Sequence, residues 1–242
     1  LLAAVLFLSS AAAAQQQPFS LEDLRQLVGV SSVRISPDGS TIAVITFHAN
    51  FADDKNEPQL CAVDVASGAT RPLTFGRAHV SSPTWSPDGR TLAFLAPDSK
   101  DTEQVWFLPL AGGEARCVTH AATDVEEFAW RPDGRALAYS AEDEAPKLEG
   151  EARHVKAFHV GDQDLFLREP IRPRHLWVQD LDAEKAKRLT SGAWSVEFVL
   201  PPSSAASRLS WSRDGKRIAF AQAPSTDTGK LELVHAAVVD VA

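Results

Sequence analysis

Residues able to do chemistry are present in this chain, but their spacing does not suit it. His154 and His159 are the closest pair of imidazoles, five positions apart. No cysteine or paired carboxylate stands in register with them, so they read as solvated histidines rather than zinc ligands. Serine, histidine and aspartate all occur, yet no G-x-S-x-G turn presents a nucleophile. "GVSSV" from Gly29 fails at its fifth position, and "GAWSV" from Gly192 carries its serine out of place. "AGGEA" from Ala111 is a turn, and no G-x-x-x-x-G-K-[ST] phosphate loop occurs. The sequence therefore nominates no catalytic, cofactor-binding or metal-binding residue. Glu142, Glu144, Glu149 and Glu151 lie in one charged stretch and offer negative charge to a cationic group. The plainer reading of that stretch is a solvated excursion.

The remaining reactive side chains are two thiols. Cys61 and Cys117 both sit in apolar, strand-like runs and read as small buried residues. A disulfide between them stays open, because two cysteines give no framework to read.

The elements that must position all these residues follow from composition and repetition. At 242 residues and 44% hydrophobic, the chain can bury a sizeable core. Its net charge of −8 and lack of any lysine or arginine run make nucleic acid and anionic membranes poor partners. Residues 1–14, "LLAAVLFLSSAAAA", read as a secretory signal without its basic start, cleaved after Ala14 with Ala12 at the other small position. A membrane anchor needs about 20 apolar residues, and polarity begins by Gln15. The expectation is an exported protein, periplasmic or secreted, with no stable membrane anchor after cleavage.

One phrase recurs four times: "RISPDGSTIAVI" from Arg34, "TWSPDGRTLAFL" from Thr84, "AWRPDGRALAYS" from Ala129 and "SWSRDGKRIAFA" from Ser210. Its aspartates, Asp38, Asp88, Asp133 and Asp214, are spaced by 50, 45 and 81 residues. A period near 45 points to propeller blades. Pro37, Pro87 and Pro132 set φ at the second position of a type I turn, and the glycine after each aspartate takes the left-handed conformation. Arg213 replaces proline in the fourth copy. The strand after each turn is apolar on both faces, as in Leu92, Ala93, Phe94 and Leu95, which suits a sheet sandwiched between two others. Trp85, Trp130 and Trp211 precede the turns as flat anchors between blades. A second phrase follows the hairpin in three copies, from Gln59, Gln104 and His175, and reads as strand, polar turn, strand.

The fold class is therefore all-β, a partial propeller of four-stranded antiparallel blades with a short N-terminal helix. Residues 15–30 form a linker and that helix, capped by Ser20 and Asp23, stapled by Phe19, with Leu21, Leu24 and Val28 on one face. Residues 31–242 form the blades, at about 31–76, 77–121, 122–192 and an incomplete 193–242. The long third spacing is assigned to a charged insert at 142–173, where Ala145, Leu148 and Ala152 hint at a helix and Pro146 and Gly150 oppose a long one. About three and a half blades make an arc, whereas propellers close with about 4 to 8. A fragment of a longer protein is expected.

Taken in order, the leader, "FSLEDLRQL", "VRISPDGSTIAVI", "WSPDGRTLAFLA", the charged insert, "PRHLWVQDL", "RLTSG" and "LSWSRDGKRIAFA" resemble the N-terminal propeller of exported bacterial serine peptidases of the prolyl oligopeptidase family, in particular its acylaminoacyl-peptidase and dipeptidyl-peptidase branches. The resemblance runs from about Pro18 to the end. It implies a C-terminal α/β-hydrolase domain in the same parent chain, with a Ser-Asp-His triad, and a propeller that caps the site and admits short peptide substrates. None of the family's catalytic motif lies here, so the chain alone is expected to be inactive, with no cofactor. Acidic propeller side chains hold the substrate's amino group in some branches, but Glu142 to Glu151 do not align with such a motif. The alternative is a periplasmic binding scaffold resembling TolB, whose α/β domain ahead of the blades has no room here.

Overall fold

The computed structural model describes residues 20–147, 149–154, 172–196, 209–226 and 233–241. It contains four antiparallel sheets in chain order. The first is β1 (Val28–Ile35), β2 (Thr41–Asn50), β3 (Lys55–Asp64) and β4 (Thr70–Pro72). The second is β5 (Ser81–Trp85), β6 (Thr91–Pro97), β7 (Glu103–Pro109) and β8 (Arg116–Cys117). The third is β9 (Val125–Trp130), β10 (Ala136–Glu142), β11 (Arg174–Asp180) and β12 (Lys187–Arg188). The fourth joins β13 (Ser195–Val196), β14 (Ser210–Trp211), β15 (Arg217–Ala223) and β16 (His235–Asp240). The first strands of neighbouring sheets approach one another, β1 to β5 and β9 to β14, so they line the inside of the arc. The architecture is a partial β-propeller, as the repeat implies.

The hairpin turns have the expected geometry. Gly39, Gly89, Gly134 and Gly215 all have φ near +70° (74, 69, 70 and 69°), and the amide of each donates to the carbonyl three residues back. The serine ahead of the proline does more than the turn rules anticipate. Ser86 donates to Asp88 at 2.6 Å while its Oγ accepts the Thr91 amide at 2.9 Å. Ser36 and Ser212 repeat both bonds with Asp38 and Thr41, and with Asp214 and Arg217. In the third copy Arg131 stands at this position and reaches Asp133 through its guanidinium at 2.8 Å. These hydroxyl bonds, followed by backbone amides, hold the carboxyls of Asp38, Asp88 and Asp214 below the usual aspartate value, and Arg131 does the same for Asp133.

Three apolar clusters fill the gaps between sheets. Ala43, Ile45 and Leu60 of the first sheet meet Leu92, Phe94 and Ala96 of the second. On the other face of that same strand, Ala93 and Leu95 meet Leu137 and Tyr139 of the third sheet. Ala136 and Ala138 then turn the other way, toward Ile218 and Phe220. Each fully buried leucine or phenylalanine contributes roughly 1.5–3 kcal/mol. The tryptophans bridge these gaps: Trp85 donates to the Arg34 carbonyl at 3.0 Å and Trp211 to the Ala129 carbonyl at 3.1 Å. Trp130 stacks on Phe107 with centroids 4.5 Å apart. The two outermost faces are open among the described residues. β1 exposes Val30 at 61% and Ile35 at 60%, and β16 exposes Val238 at 63%.

Three expectations change. The helix is confined to Leu21–Leu24, with the Ser20–Asp23 capping box in place. Val28 is the first residue of β1 rather than a helix residue, because the β-branched run around Gly29 pairs with Thr46 to His48. The blades thus begin at Val28, and Phe19 lies outside the described residues. The long third spacing is divided between two places. Residues 143–173 connect β10 to β11, and residues 197–209 separate β13 from β14. The second break falls where the other first strands already bulge, between Ser31 and Arg34 and between Ser81 and Thr84, with Ser32 and Ser82 both at φ 52°. An interrupted ladder tolerates extra chain there. Within 143–173 the described part forms only a 3₁₀ turn, Gly150–His154. Leu148 and His159, and the leader at 1–14, lie outside the described residues.

The doubled role of the turn serine leads to a measurable expectation. Ser86→Ala removes the acceptor of a part-buried amide and should destabilise the chain by about 1–3 kcal/mol in urea unfolding. An unchanged midpoint would show that water replaces the hydroxyl and that the turn does not depend on it.

Candidate functional site

In the first three sheets, polar side chains gather where the third strand runs past the end of the fourth. Thr74, Thr119 and Thr190 accept the amides of Leu60, Val105 and Leu176 at 3.0, 2.8 and 2.8 Å, extending the ladder by one side-chain bond. The residue before each of those amides reaches the chain running to the next blade. Gln59 donates to the Thr74 carbonyl at 3.2 Å, and Gln104 donates to the Ala121 carbonyl at 2.9 Å while accepting the Thr119 hydroxyl. In the third sheet this place is taken by His175, with Nδ1 3.2 Å from Thr190 Oγ1 and Nε2 3.2 Å from the Gly192 carbonyl.

Asp143 completes what resembles a hydroxyl–imidazole–carboxylate series, its Oδ2 lying 3.8 Å from His175 Nε2. Burial blocks chemistry there, because His175 is fully buried and Thr190 is buried beside it. The glutamines at 59 and 104 mark the position as a structural clamp. Burial holds His175 below the ordinary imidazole value of 6.5, against the opposing pull of Asp143.

Asp143 belongs to the stem of the insert. Its amide donates to the Pro173 carbonyl at 2.9 Å, and Arg172 Nε donates to its carbonyl at 2.7 Å. Arg188 pairs with the Asp143 carboxylate at 2.8 Å. Arg174 bridges Glu126 at 3.0 Å and Glu142 at 3.6 Å, and Arg172 also reaches Glu142 at 3.6 Å. The insert is therefore tied to the third blade by a ring of opposite charges. Beside that stem a cleft of about 750 Å³ opens between the second and third blades, floored by Tyr139 and Trp177 and rimmed by Glu144 and Glu184. Burial pushes the Tyr139 phenol up to about 12, so it stays neutral.

Of the carboxylates singled out in the sequence, the structure splits the group. Glu142 is shared between two arginines, Glu144 lines the cleft, and Glu149 and Glu151 are exposed. Cys61 and Cys117 are free thiols, the first buried and the second half-buried, where burial pushes its thiol up to about 11. His154 is exposed in the 3₁₀ turn. Among the described residues no group of three histidines, cysteines or carboxylates is placed to hold a metal. Sequence reasoning passed over Arg172, Arg174 and Arg188, whose partners lie far away along the chain. It also passed over His175, although its alignment with Gln59 and Gln104 was readable in the second phrase.

The buried imidazole carries a pH dependence. Its folded value lies below its unfolded one, so the unfolded chain binds more protons as the pH falls through 6.5. Stability should decline over that window and level off below the folded value. His175→Gln should flatten the stability curve between about pH 7.5 and about pH 5.5 in urea titrations. An identical slope in the variant would remove His175 as its source.

No family model matches the chain. A segment of 75 residues is 32% identical to the uncharacterized peptidase YuxL of Bacillus subtilis (strain 168), spanning 31% of this chain and 11% of that protein. Among solved structures, the acylaminoacyl peptidase of Pyrococcus horikoshii superposes with a TM-score of 0.56 at 20% identity, over 81% of this chain and 28% of that one. The putative TolB of Agrobacterium tumefaciens gives 0.54 at 16% identity, over 86% and 60%. The chain thus spans about a quarter of the peptidase structure (28%) and a little under two thirds of the TolB structure (60%). Its fold is that of the N-terminal propeller domains of acylaminoacyl and prolyl peptidases, and TolB shares it.

Proposed function

We propose that this chain is the propeller of an exported serine peptidase, and that it caps a hydrolase domain carried elsewhere in the parent protein. In this reading the propeller contributes no catalytic residue. It limits access so that short peptides, rather than folded proteins, reach the hydrolase. The observation that carries the reading is the arc of four blades with an apolar face open at each end, taken with the match to about a quarter of a peptidase chain (28%). An open face bearing Val28, Val30 and Ile35 is unfavourable in water unless another sheet covers it. The apolar leader at residues 1–14 supports export, with cleavage after Ala14.

A second reading is a TolB-like scaffold that binds proteins and has no enzymatic role. It is favoured by one observation: the chain covers 60% of the Agrobacterium tumefaciens protein, a larger share than of the peptidase. The two readings part at the level of the parent gene. A peptidase must encode a G-x-S-x-G turn with a later aspartate and histidine downstream of the propeller.

The decisive measurement is made on the full-length parent. It should be labelled by a fluorophosphonate and should hydrolyse aminoacyl or dipeptidyl chromogenic substrates, whereas the isolated 242-residue chain should do neither. A parent that ends after a few more blades, with no labelled serine, leaves the scaffold reading in its place.

A further inference from the structure

The three blade junctions are built from the same parts, and one of them lacks a part. Three residues beyond the threonine that closes each sheet, the first junction has Arg77, the second Ala122 and the third Ala193, next to Trp194. At the first junction the Arg77 guanidinium lies 4.2 Å from the Trp106 ring centroid and 5.4 Å from that of Phe94. At the third junction Trp194 fills the gap, stacking on Phe220 at 5.8 Å and meeting His175 edge-on at 5.2 Å.

Tyr139 and Trp177 take the places of Phe94 and Trp106 at the second junction, stacked 6.4 Å apart with planes 8° from parallel. Nothing long projects over them from Ala122, and the cleft of about 750 Å³ lies there instead. Hydrogen bonding is incomplete at the same place. The Trp106 indole N–H donates to the Ala96 carbonyl at 2.9 Å and that of Trp85 to Arg34 at 3.0 Å. Among the described residues the corresponding N–H of Trp177, which lines the cleft, is buried without an acceptor, and that of Trp130 is also unpaired but lies at the other end of the junction, beside Phe107 and Pro132. A guanidinium has donors only, so the unpaired Trp177 donor marks incomplete packing at the junction and is not itself a partner for arginine.

We propose that the cleft between the second and third blades is a binding site for an arginine side chain presented by another polypeptide. The guanidinium would lie over Tyr139 and Trp177 as that of Arg77 lies over Phe94 and Trp106. Arginine is favoured over lysine because a planar guanidinium stacks on aromatic rings. The rim suits it as well. Asp143 is neutralised by Arg188 and Glu142 by two arginines, which leaves Glu144 and Glu184, with Lys185 beside them, to set the local charge. Arg188, held by Asp143 and the Thr190 carbonyl, already lies over the Trp177 ring at 5.5 Å from its centroid, farther than the 4.2 Å of Arg77 over Trp106, and forms one wall of the cleft. The proposal rests on this chain's own residues and does not depend on which reading of the parent protein holds.

The test is a titration of the chain with N-acetyl-arginine amide, followed by the indole N–H resonances of its six tryptophans. A saturable shift at Trp177, which lines the cleft, is expected, with the neutral isostere N-acetyl-citrulline amide binding roughly tenfold more weakly, the scale of one cation–π contact. Ala122→Arg supplies the missing side chain in cis. It should abolish binding of the probe and raise the melting temperature. Glu184→Gln, a surface change that leaves the core intact, should weaken binding about twofold or more. Equal binding of arginine and citrulline probes would overturn the proposal. So would binding that survives in Ala122→Arg, or the absence of any shift at Trp177 in the folded wild-type chain.

Discussion

Because β6 and β10 bury alternate side chains against two different neighbours, no sheet of this fold can satisfy its own second strand. Leu92 and Phe94 need the first blade, while Ala93 and Leu95 need the third. Stability is therefore a property of the junctions rather than of the sheets. The same constraint explains the ends of the arc, where β1 and β16 present valine and isoleucine to solvent because no further sheet faces them among the described residues.

Stacking sheets in this way creates a recurrent polar problem at their edges, and the chain solves it with short side chains at fixed places. A serine hydroxyl closes the inner hairpin against its aspartate, and a threonine hydroxyl replaces a ladder acceptor where the outer strand stops. Gln59, Gln104 and His175 then tie each sheet to the segment leading to the next. These groups carry hydrogen-bond donors and acceptors typical of catalysis, yet their burial and full use within the fold leave them no free chemistry. Their repetition from blade to blade is the physical sign of a structural role.

Departures from the repeat are more informative about function than the repeat itself. The third blade carries the long connection at 143–173, pinned by Arg172, Arg174 and Arg188, and the fourth opens its inner strand at the position of a bulge. At the junction before the third blade, alanine replaces arginine and two indole donors have no acceptor among the described residues. Each departure lies on or beside the third blade.

The hairpin turns, the four-strand blade and the two-faced burial of the second strand were legible in the sequence. They depend on local turn chemistry and on periodicity over a few residues, as in Pro87, Asp88, Gly89 and the apolar run from Leu92. The capping box of Ser20 and Asp23 was legible for the same reason, although the helix it starts is shorter than its pattern. What only the tertiary structure decided involves partners distant along the chain. The Arg174 contact with Glu126, the clamp at His175, the division of the long spacing and the cleft over Tyr139 and Trp177 all depend on how one blade lies against the next. A sequence records which side chains are offered, but an empty place between two sheets appears only when both sheets are in position.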